Sequence, residues 1–465
     1  MRSRKLATRQ RRTRTAGAVA ALPFVLLLLV LAPGLVSAQP QVPLNPGLIP
    51  KFVEPMPMPL RVDATATSLA APLEISMNEF QQKVLPASFY LGLMPPYDAG
   101  TYLWSYQAAG HPQTFPGPTL EALTGVPTTV KYVNNLQGPG GAPPFLQSLI
   151  KVDQTLHWAD PLAQHGSLLP YVGPVPAVPH LHGGEVPSAF DGGPDAWWTP
   201  GVLQTGPGFV TDTYTYPNEQ EPATLWYHDH ALGVTRTNVY AGLAGFYLLR
   251  DPGVEPSNLP GGPDDTPLDM YGNSYEREVV IQDRMFDTNG QLYFPSLGVN
   301  PLVHPFWLPE FFGDVVLVNG KSWPYLEVEP RRYRFRFLNG SNARFYELRL
   351  TDRATKTPGP AFWQIGSDGG FLDTPAMLND PLAAKSPRLI IAPGERADVI
   401  IDFSAHAART FTLVNSAKSP FPKGAPADPQ TVGQIMLFRV GATVTGGADP
   451  SLDPAVTTSL RPVPI

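Results

Sequence analysis

Proline recurs through the whole of this chain, 56 times in 465 residues, and that frequency rules out a fold built on long helices. Proline has no amide hydrogen to donate and clashes with the preceding helical turn, but it suits turns, edge strands and strand ends. Glycine is also frequent (42), and only 15% of residues are charged against 43% hydrophobic. That balance supplies apolar cores and many turns, and it predicts an all-β chain of two or three domains. No cysteine occurs, so the cores must hold without disulfides.

The N-terminus reads as a secretory signal over residues 1–38. Seven Lys and Arg residues fall within positions 1–14, and no charge follows until Lys51. An apolar run from Ala16 to Ala32 leads to Val36-Ser37-Ala38, a small-residue cleavage pattern. The expected location is therefore periplasm, cell surface or medium, by the Sec route or, given Arg11-Arg12, the twin-arginine route. No stable membrane association is expected after cleavage. Without those seven cations, the net charge moves from −6 to −13. An acidic protein of this kind is not a nucleic-acid binder, which needs a basic surface.

Organisation follows from a repeat. Pro118-Thr-Leu-Glu through Asn134 and Pro324-Tyr-Leu-Glu through Asn339 share a pattern: Pro-x-Leu-Glu, a turn, an alternating strand, then Asn. The expected layout is a proline-rich lead over 39–60, a first β-domain over 61–252, a linker over 253–276 and a second β-domain over 277–441. A linker or tail over 442–465 completes it. Asp287-Thr-Asn-Gly290 reads as a tight hairpin turn. The alternating Arg332, Arg334 and Arg336 read as the solvated face of a strand.

Four of the nine histidines fall in two pairs, His180-Leu181-His182 and His228-Asp229-His230. At this histidine frequency chance gives roughly 0.2 such pairs. In a strand, residues two apart share a face, so each pair aims two imidazoles at one point. Two such strands side by side form a nitrogen cradle with room for more than one metal ion. Asp229, between two of them, should point the other way and act structurally. Trp197, Trp198 and Trp226 read as core, and His111, His157, His165, His304 and His406 lack ligand-like spacing.

Around these pairs stand Phe115-Pro-Gly-Pro-Thr119, His180-Leu-His-Gly-Gly184, Trp226-Tyr-His-Asp-His230 and Asn238-Val-Tyr-Ala-Gly-Leu-Ala-Gly245. Later come Val318-Asn-Gly-Lys-Ser-Trp-Pro324, Ile365-Gly-Ser-Asp-Gly-Gly370 and Ala392-Pro-Gly-Glu-Arg-Ala397. Together they resemble the multicopper oxidases, in the branch of bacterial spore-coat laccases and bilirubin oxidases. The resemblance implies cupredoxin-like (plastocyanin-like) Greek-key β-barrel domains, two of which this chain would hold. It also implies copper and the oxidation of a small phenolic or related reductant with reduction of O2 to water. It assigns His180 to a type 2 copper and His182, His228 and His230 to a type 3 pair. Asp191, in Phe190-Asp-Gly-Gly, matches an acidic residue that assists proton delivery; an Asp before two glycines also suits a plain turn.

The family's third cupredoxin domain carries the other four cluster histidines and the cysteine of the type 1 copper. Neither set is found here. The expectation is therefore half of a trinuclear site with no type 1 copper, incomplete for catalysis alone and completed by a downstream segment or a third-domain polypeptide. The alternatives are one half of a split oxidase and a non-enzymatic exported copper-binding or structural cupredoxin protein. The faces carrying His180, His182, His228 and His230 should then be partly exposed.

Overall fold

Short segments become twenty-one strands among the described residues. The computed structural model describes residues 40–265, 268–295, 305–383 and 385–463, so the expected signal segment and His304 lie outside it. The first nine strands are β1 (Arg61–Asp63), β2 (Leu73–Gln82), β3 (Thr101–Ala108), β4 (Thr119–Leu123) and β5 (Thr128–Asn134), then β6 (Pro179–His182), β7 (Thr213–Tyr216), β8 (Ala223–Asp229) and β9 (Ala244–Arg250). They form two sheets, β1-β4-β9-β8-β6 and β3-β2-β5-β7.

The other twelve begin with β10 (Glu276–Arg284), β11 (Val315–Val318), β12 (Lys321–Ser322), β13 (Tyr325–Val328), β14 (Arg332–Asn339) and β15 (Tyr346–Asp352). They continue with β16 (Phe362–Ser367), β17 (Gly370–Leu378), β18 (Leu389–Ile391), β19 (Arg396–Asp402), β20 (Thr410–Asn415) and β21 (Gln434–Val440). These make the sheets β12-β11-β10-β14-β19-β16-β17 and β13-β21-β20-β15-β18. Asp287–Gly290 makes the tight turn expected of it, with the Gly290 N–H donating to the Asp287 carbonyl at 2.9 Å. Among the described residues no helix is long and apolar enough to cross a membrane.

The sequence repeat is a repeated change of sheet. In the first copy β4 runs parallel to β9, while β5 runs parallel to β2 in the other sheet. In the second copy β13 runs parallel to β21, and β14 runs parallel to β10. The closing asparagines do the same work in both. The Asn134 amide donates to the Val175 and Trp198 carbonyls at 2.9 and 2.8 Å, and its Oδ1 accepts the Leu136 N–H. Asn339 donates to the Arg344 and Ile391 carbonyls at 2.8 and 3.0 Å and accepts from Ser341. A buried side-chain amide satisfying three backbone groups explains why Asn ends both copies.

One expectation is overturned. Arg334 and Arg336 are 2% and 1% exposed, not a solvated face. β14 lies inside the seven-stranded sheet, and its arginine side abuts β8, where Arg336 Nη1 donates to Thr224 Oγ1 at 2.7 Å. Carboxylates meet the buried charge: Arg336 Nε to Glu276 Oε1 at 2.7 Å, Arg334 Nε to Asp398 Oδ1 at 2.9 Å, and Arg250 Nη1 to Glu276 Oε1 at 2.8 Å. Burial alone would raise the Glu276 carboxyl, but Arg250 and Arg336 outweigh it and hold the group well below the usual carboxylate range. Beside this network an apolar cluster joins Trp226, Ala244 and Phe246 to Val280 and Leu338.

The segments expected as lead and linkers are pinned down. Leu44, Ile49, Phe52 and Met56 are buried, and the Met56 N–H donates to the Tyr325 carbonyl at 2.7 Å. Leu259, between the two strand sets, packs with Leu452 and Leu460 from beyond β21 against Ile365, Phe371 and Ile400. Asp449 pairs with Arg331 at 2.8 Å, and Arg461 with Glu221.

Candidate metal centre

β6 and β8 pair antiparallel with His180 directly opposite His228 and His182 opposite Trp226. Strand alternation sends Leu181 and Tyr227, 1% and 0% exposed, to the opposite face. His230 follows β8 and extends the pairing, its N–H donating to the Val178 carbonyl at 2.8 Å. All four predicted histidines therefore gather on one face. Ring centroids are 4.8 Å apart for His180–His230, 5.4 Å for His182–His228 and 5.5 Å for His180–His228. One ring nitrogen from each of His180, His182 and His228 lies within 4.8 Å of the others. His230 stands beside that trio, closest to His180. His228 is buried and the other three are half-buried, in keeping with the partial exposure expected.

Hydrogen bonds orient the rings. His180 Nδ1 lies 2.6 Å from the Asp191 carbonyl, and His228 Nδ1 lies 2.7 Å from the Asp229 carbonyl. Each carbonyl fixes the proton on Nδ1 and leaves the lone pair on Nε2, the usual arrangement of a metal-binding imidazole. His182 Nδ1 faces His228 Nε2 at 3.2 Å, and His230 Nδ1 is buried with no hydrogen-bond partner. Burial first, then Arg396 and neighbouring histidines, pushes His182 down to about 4. Burial likewise pushes His228 well down and lowers His230. These rings are neutral at neutral pH, the form that binds a metal. Neutral imidazoles with inward lone pairs, one buried and unpaired, suit copper, so the donor set fits the ion the motifs imply.

Neighbouring residues hold this geometry. Asp229 is fully buried and accepts from Val178 N at 2.9 Å, Ala231 N at 3.1 Å and Asn238 Nδ2 at 3.0 Å, away from the rings as expected. Burial raises it to about 7 even so. It ties the end of β8 to the chain before β6 and to the short helix Thr235–Ala241. Asp191 lies at the rim: its carboxylate is 43% exposed, with Oδ1 3.3 Å from His180 Nδ1. Gly192 follows at φ +70°, where a Cβ would lie 1.9 Å from the Pro179 carbonyl oxygen, so the first glycine of Asp-Gly-Gly is a steric necessity. Trp197 and Trp198 are buried, 8% and 1% exposed, as expected of core residues.

Part of the site was invisible in the paired-histidine pattern. The Trp226 ring lies 4.1 Å from His228 and 5.2 Å from His182, packing against both. Gly394 approaches His182 from the second strand set, and a Cβ there would come within 3.1 Å of its Cε1. Arg396 is 4% exposed and bridges the two strand sets, donating to the Thr224 and Gly394 carbonyls at 2.8 and 2.9 Å. Both lie in Ala392–Ala397, a motif whose sequence gave no hint of its nearness to His182. Among the described residues, His111, His157, His165 and His406 join no ligand cluster.

An all-β fold that gathers four histidines on and beside two paired strands has the character of a cupredoxin-like metal-binding protein. Residues 176–253 match the family model described as Multicopper oxidase. A laccase from Bacillus stratosphericus is 39% identical over 412 residues, covering 87% of this chain and 68% of that protein. Multicopper oxidase LPR1 homolog 1 from Oryza sativa subsp. japonica is 42% identical over 329 residues, covering 70% and 49%. The crystal structure of the McoA multicopper oxidase 2F4 variant from Aquifex aeolicus aligns with TM-score 0.59 at 25% identity, covering 89% and 69%. The chain belongs to the multicopper oxidase family. It spans about half to two thirds of the length of the curated relatives it matches. Membership implies copper as the metal of the site.

Proposed function

We propose that this chain carries one half of the oxygen-reducing copper site of a laccase-like oxidase acting on phenolic or related reductants. The observation that carries this reading is the register of β6 against β8, which turns two HxH pairs into one convergent set of nitrogens. His180 would hold a type 2 copper, and His182, His228 and His230 a type 3 pair. Copper supplies one-electron chemistry and a binding place for O2.

The protein's own groups orient, exclude water and handle protons. The Asp191 and Asp229 carbonyls lock the His180 and His228 tautomers, while Gly394 and Trp226 fix the plane of His182. Buried Trp226 keeps water from the back of the rings. Reducing O2 to water consumes four protons, and on this reading Asp191 would relay them; in support, its carboxylate is 43% exposed and lies 3.3 Å from His180 Nδ1. Asp229 has no such path and remains structural.

No cysteine occurs among these 465 residues, so on this reading the thiolate of a blue copper and the remaining cluster histidines would be supplied by another stretch of polypeptide, covalently joined or separate. Export through the N-terminal segment fits copper chemistry outside the cytoplasm. The intact mass of the native protein, with the DNA following the Ile465 codon, tests this reading. His-Cys-His coding sequence in that DNA, or in the gene of a copurifying chain, supports the oxidase. A native protein that holds copper with neither would establish the alternative, a copper-binding cupredoxin protein.

A further inference from the structure

Away from the histidines, two grooves of about 610 and 570 Å³ flank the turn that follows β15. Lys51, Arg353, Arg409 and Arg439 line the first, with Asp352 as its one carboxylate. Asp352 is already engaged: Oδ2 takes Arg409 Nη2 at 2.8 Å, and Oδ1 accepts the Ala354 and Thr355 N–H groups at 2.9 and 2.8 Å. The other three cations are seated on aromatic rings. Lys51 Nζ lies 4.1 Å from the Trp323 ring centre, Arg353 Cζ 5.2 Å from Phe52 and Arg439 Cζ 3.6 Å from Tyr325. Asp428 is the carboxylate whose field reaches Lys51.

This shelf is built at a conformational cost. Phe52 and Trp323 both adopt left-handed backbone, at φ 61° and 38°, a conformation that bulky residues resist. The Phe52 N–H donates to the Trp323 carbonyl at 2.8 Å, and Arg439 Nη2 donates to the Phe52 carbonyl at 3.0 Å. A guanidinium held over a ring is already ordered, so it loses little further entropy on binding. Its N–H donors suit a tetrahedral oxyanion.

Across the turn, Arg349, Lys356, Lys385 and Arg388 line the second groove. Its one lining carboxylate, Asp380, accepts the Leu382 N–H at 2.8 Å. Burial, then the Arg388 charge, lowers the Arg349 guanidinium against a smaller opposing effect of Glu347, which lies 3.9 Å from Arg388. Both grooves share β15 and its turn, in a chain whose overall charge is negative.

We propose that the paired grooves on either side of the β15 turn bind a phosphate-bearing polyanion, with Arg353 and Arg439 as its first contacts and Arg349 and Lys356 extending the track. A single-stranded nucleic acid is disfavoured because base stacking needs open rings. Here Trp323 and Phe52 are 0% and 7% exposed, beneath their cations.

Calorimetric titration of the full chain with tripolyphosphate and with long-chain polyphosphate, at two salt concentrations, tests the proposal. Both should bind, more weakly at higher salt. Arg353→Gln with Arg439→Gln should weaken both about tenfold and flatten the salt dependence. Arg349→Gln with Lys356→Gln should weaken the long chain alone if the ligand is a polymer. An equal, small effect on both would mark a short phosphate ligand confined to the first groove and overturn the polymer track. Unchanged melting of each variant checks that folding is intact, and the second pair gives an independent reading if the first fails that check. No binding of either probe, binding indifferent to both pairs, or binding of anionic phospholipid vesicles alone would overturn the site.

Discussion

Gly394 and Asp314 show how single positions carry weight beyond their size. A methyl group at Gly394 would press on His182 from 3.1 Å at a positive φ that L-residues resist. Gly394→Ala should lower melting stability by about 1 kcal/mol and weaken copper binding several-fold by turning the His182 ring. Equilibrium dialysis at fixed copper concentration checks the second effect. Asp314 gives a pH test away from the metal site. Burial, with the Asp283 charge nearby, raises it to about 6. An aspartate raised in the fold contributes its stability below the unfolded value near 4 and loses it as pH rises through about 6. Asp314→Asn should therefore match the parent at pH 4 and exceed it at pH 8 by about 1 kcal/mol, a figure reduced for the partial solvent screening of this half-buried side chain. Denaturant titrations at the two pH values decide it.

At the scale of elements, the β6–β8 pairing and the buried face of β14 have opposite histories. Alternation fixes which side of β6 and β8 the histidines take, because the side-chain period of a strand is two. The same alternation misleads for Arg332, Arg334 and Arg336. Period alone separates two faces of β14, but it does not say that the charged face will be covered by β8 and neutralised by Glu276 and Asp398. Removing one partner from a buried charge network is costly, since the remaining charges stay desolvated. Glu276→Gln should lower stability by about 3–5 kcal/mol, more than loss of the surface pair Arg388–Glu347, worth about 0–1 kcal/mol. Urea titration of both variants gives the comparison.

At the scale of the whole molecule, the segment beyond β21 returns to cover the seven-stranded sheet. Leu460 is 1% exposed among Leu259, Ile365 and Ile400, so Leu460→Ala should cost about 2–4 kcal/mol. Thermal melting of the purified chain checks this. The metal site has a molecular-scale signature as well. Charged with Cu(II), this cysteine-free chain should show imidazole–copper absorption and no intense thiolate-to-copper blue band, read directly by optical spectroscopy. His182→Ala should lower copper affinity only modestly, because a partial ligand set binds weakly to begin with.

The sequence alone determined the all-β class, the repeat, the four histidines and the turn of Asp229 away from their rings. Each is a local pattern: proline and glycine spacing, strand period, and residues two apart on one face. Tertiary structure decided the rest. Gly394 and Arg396 reach the histidines from more than 150 residues away in sequence, and Arg336 is buried against Thr224 of β8 in the other half. The residues around Leu452 and Leu460 carry no strand pattern yet cover a core. Which surfaces meet depends on how sheets pack, and packing is set by shape and charge across the fold rather than by neighbours along the chain.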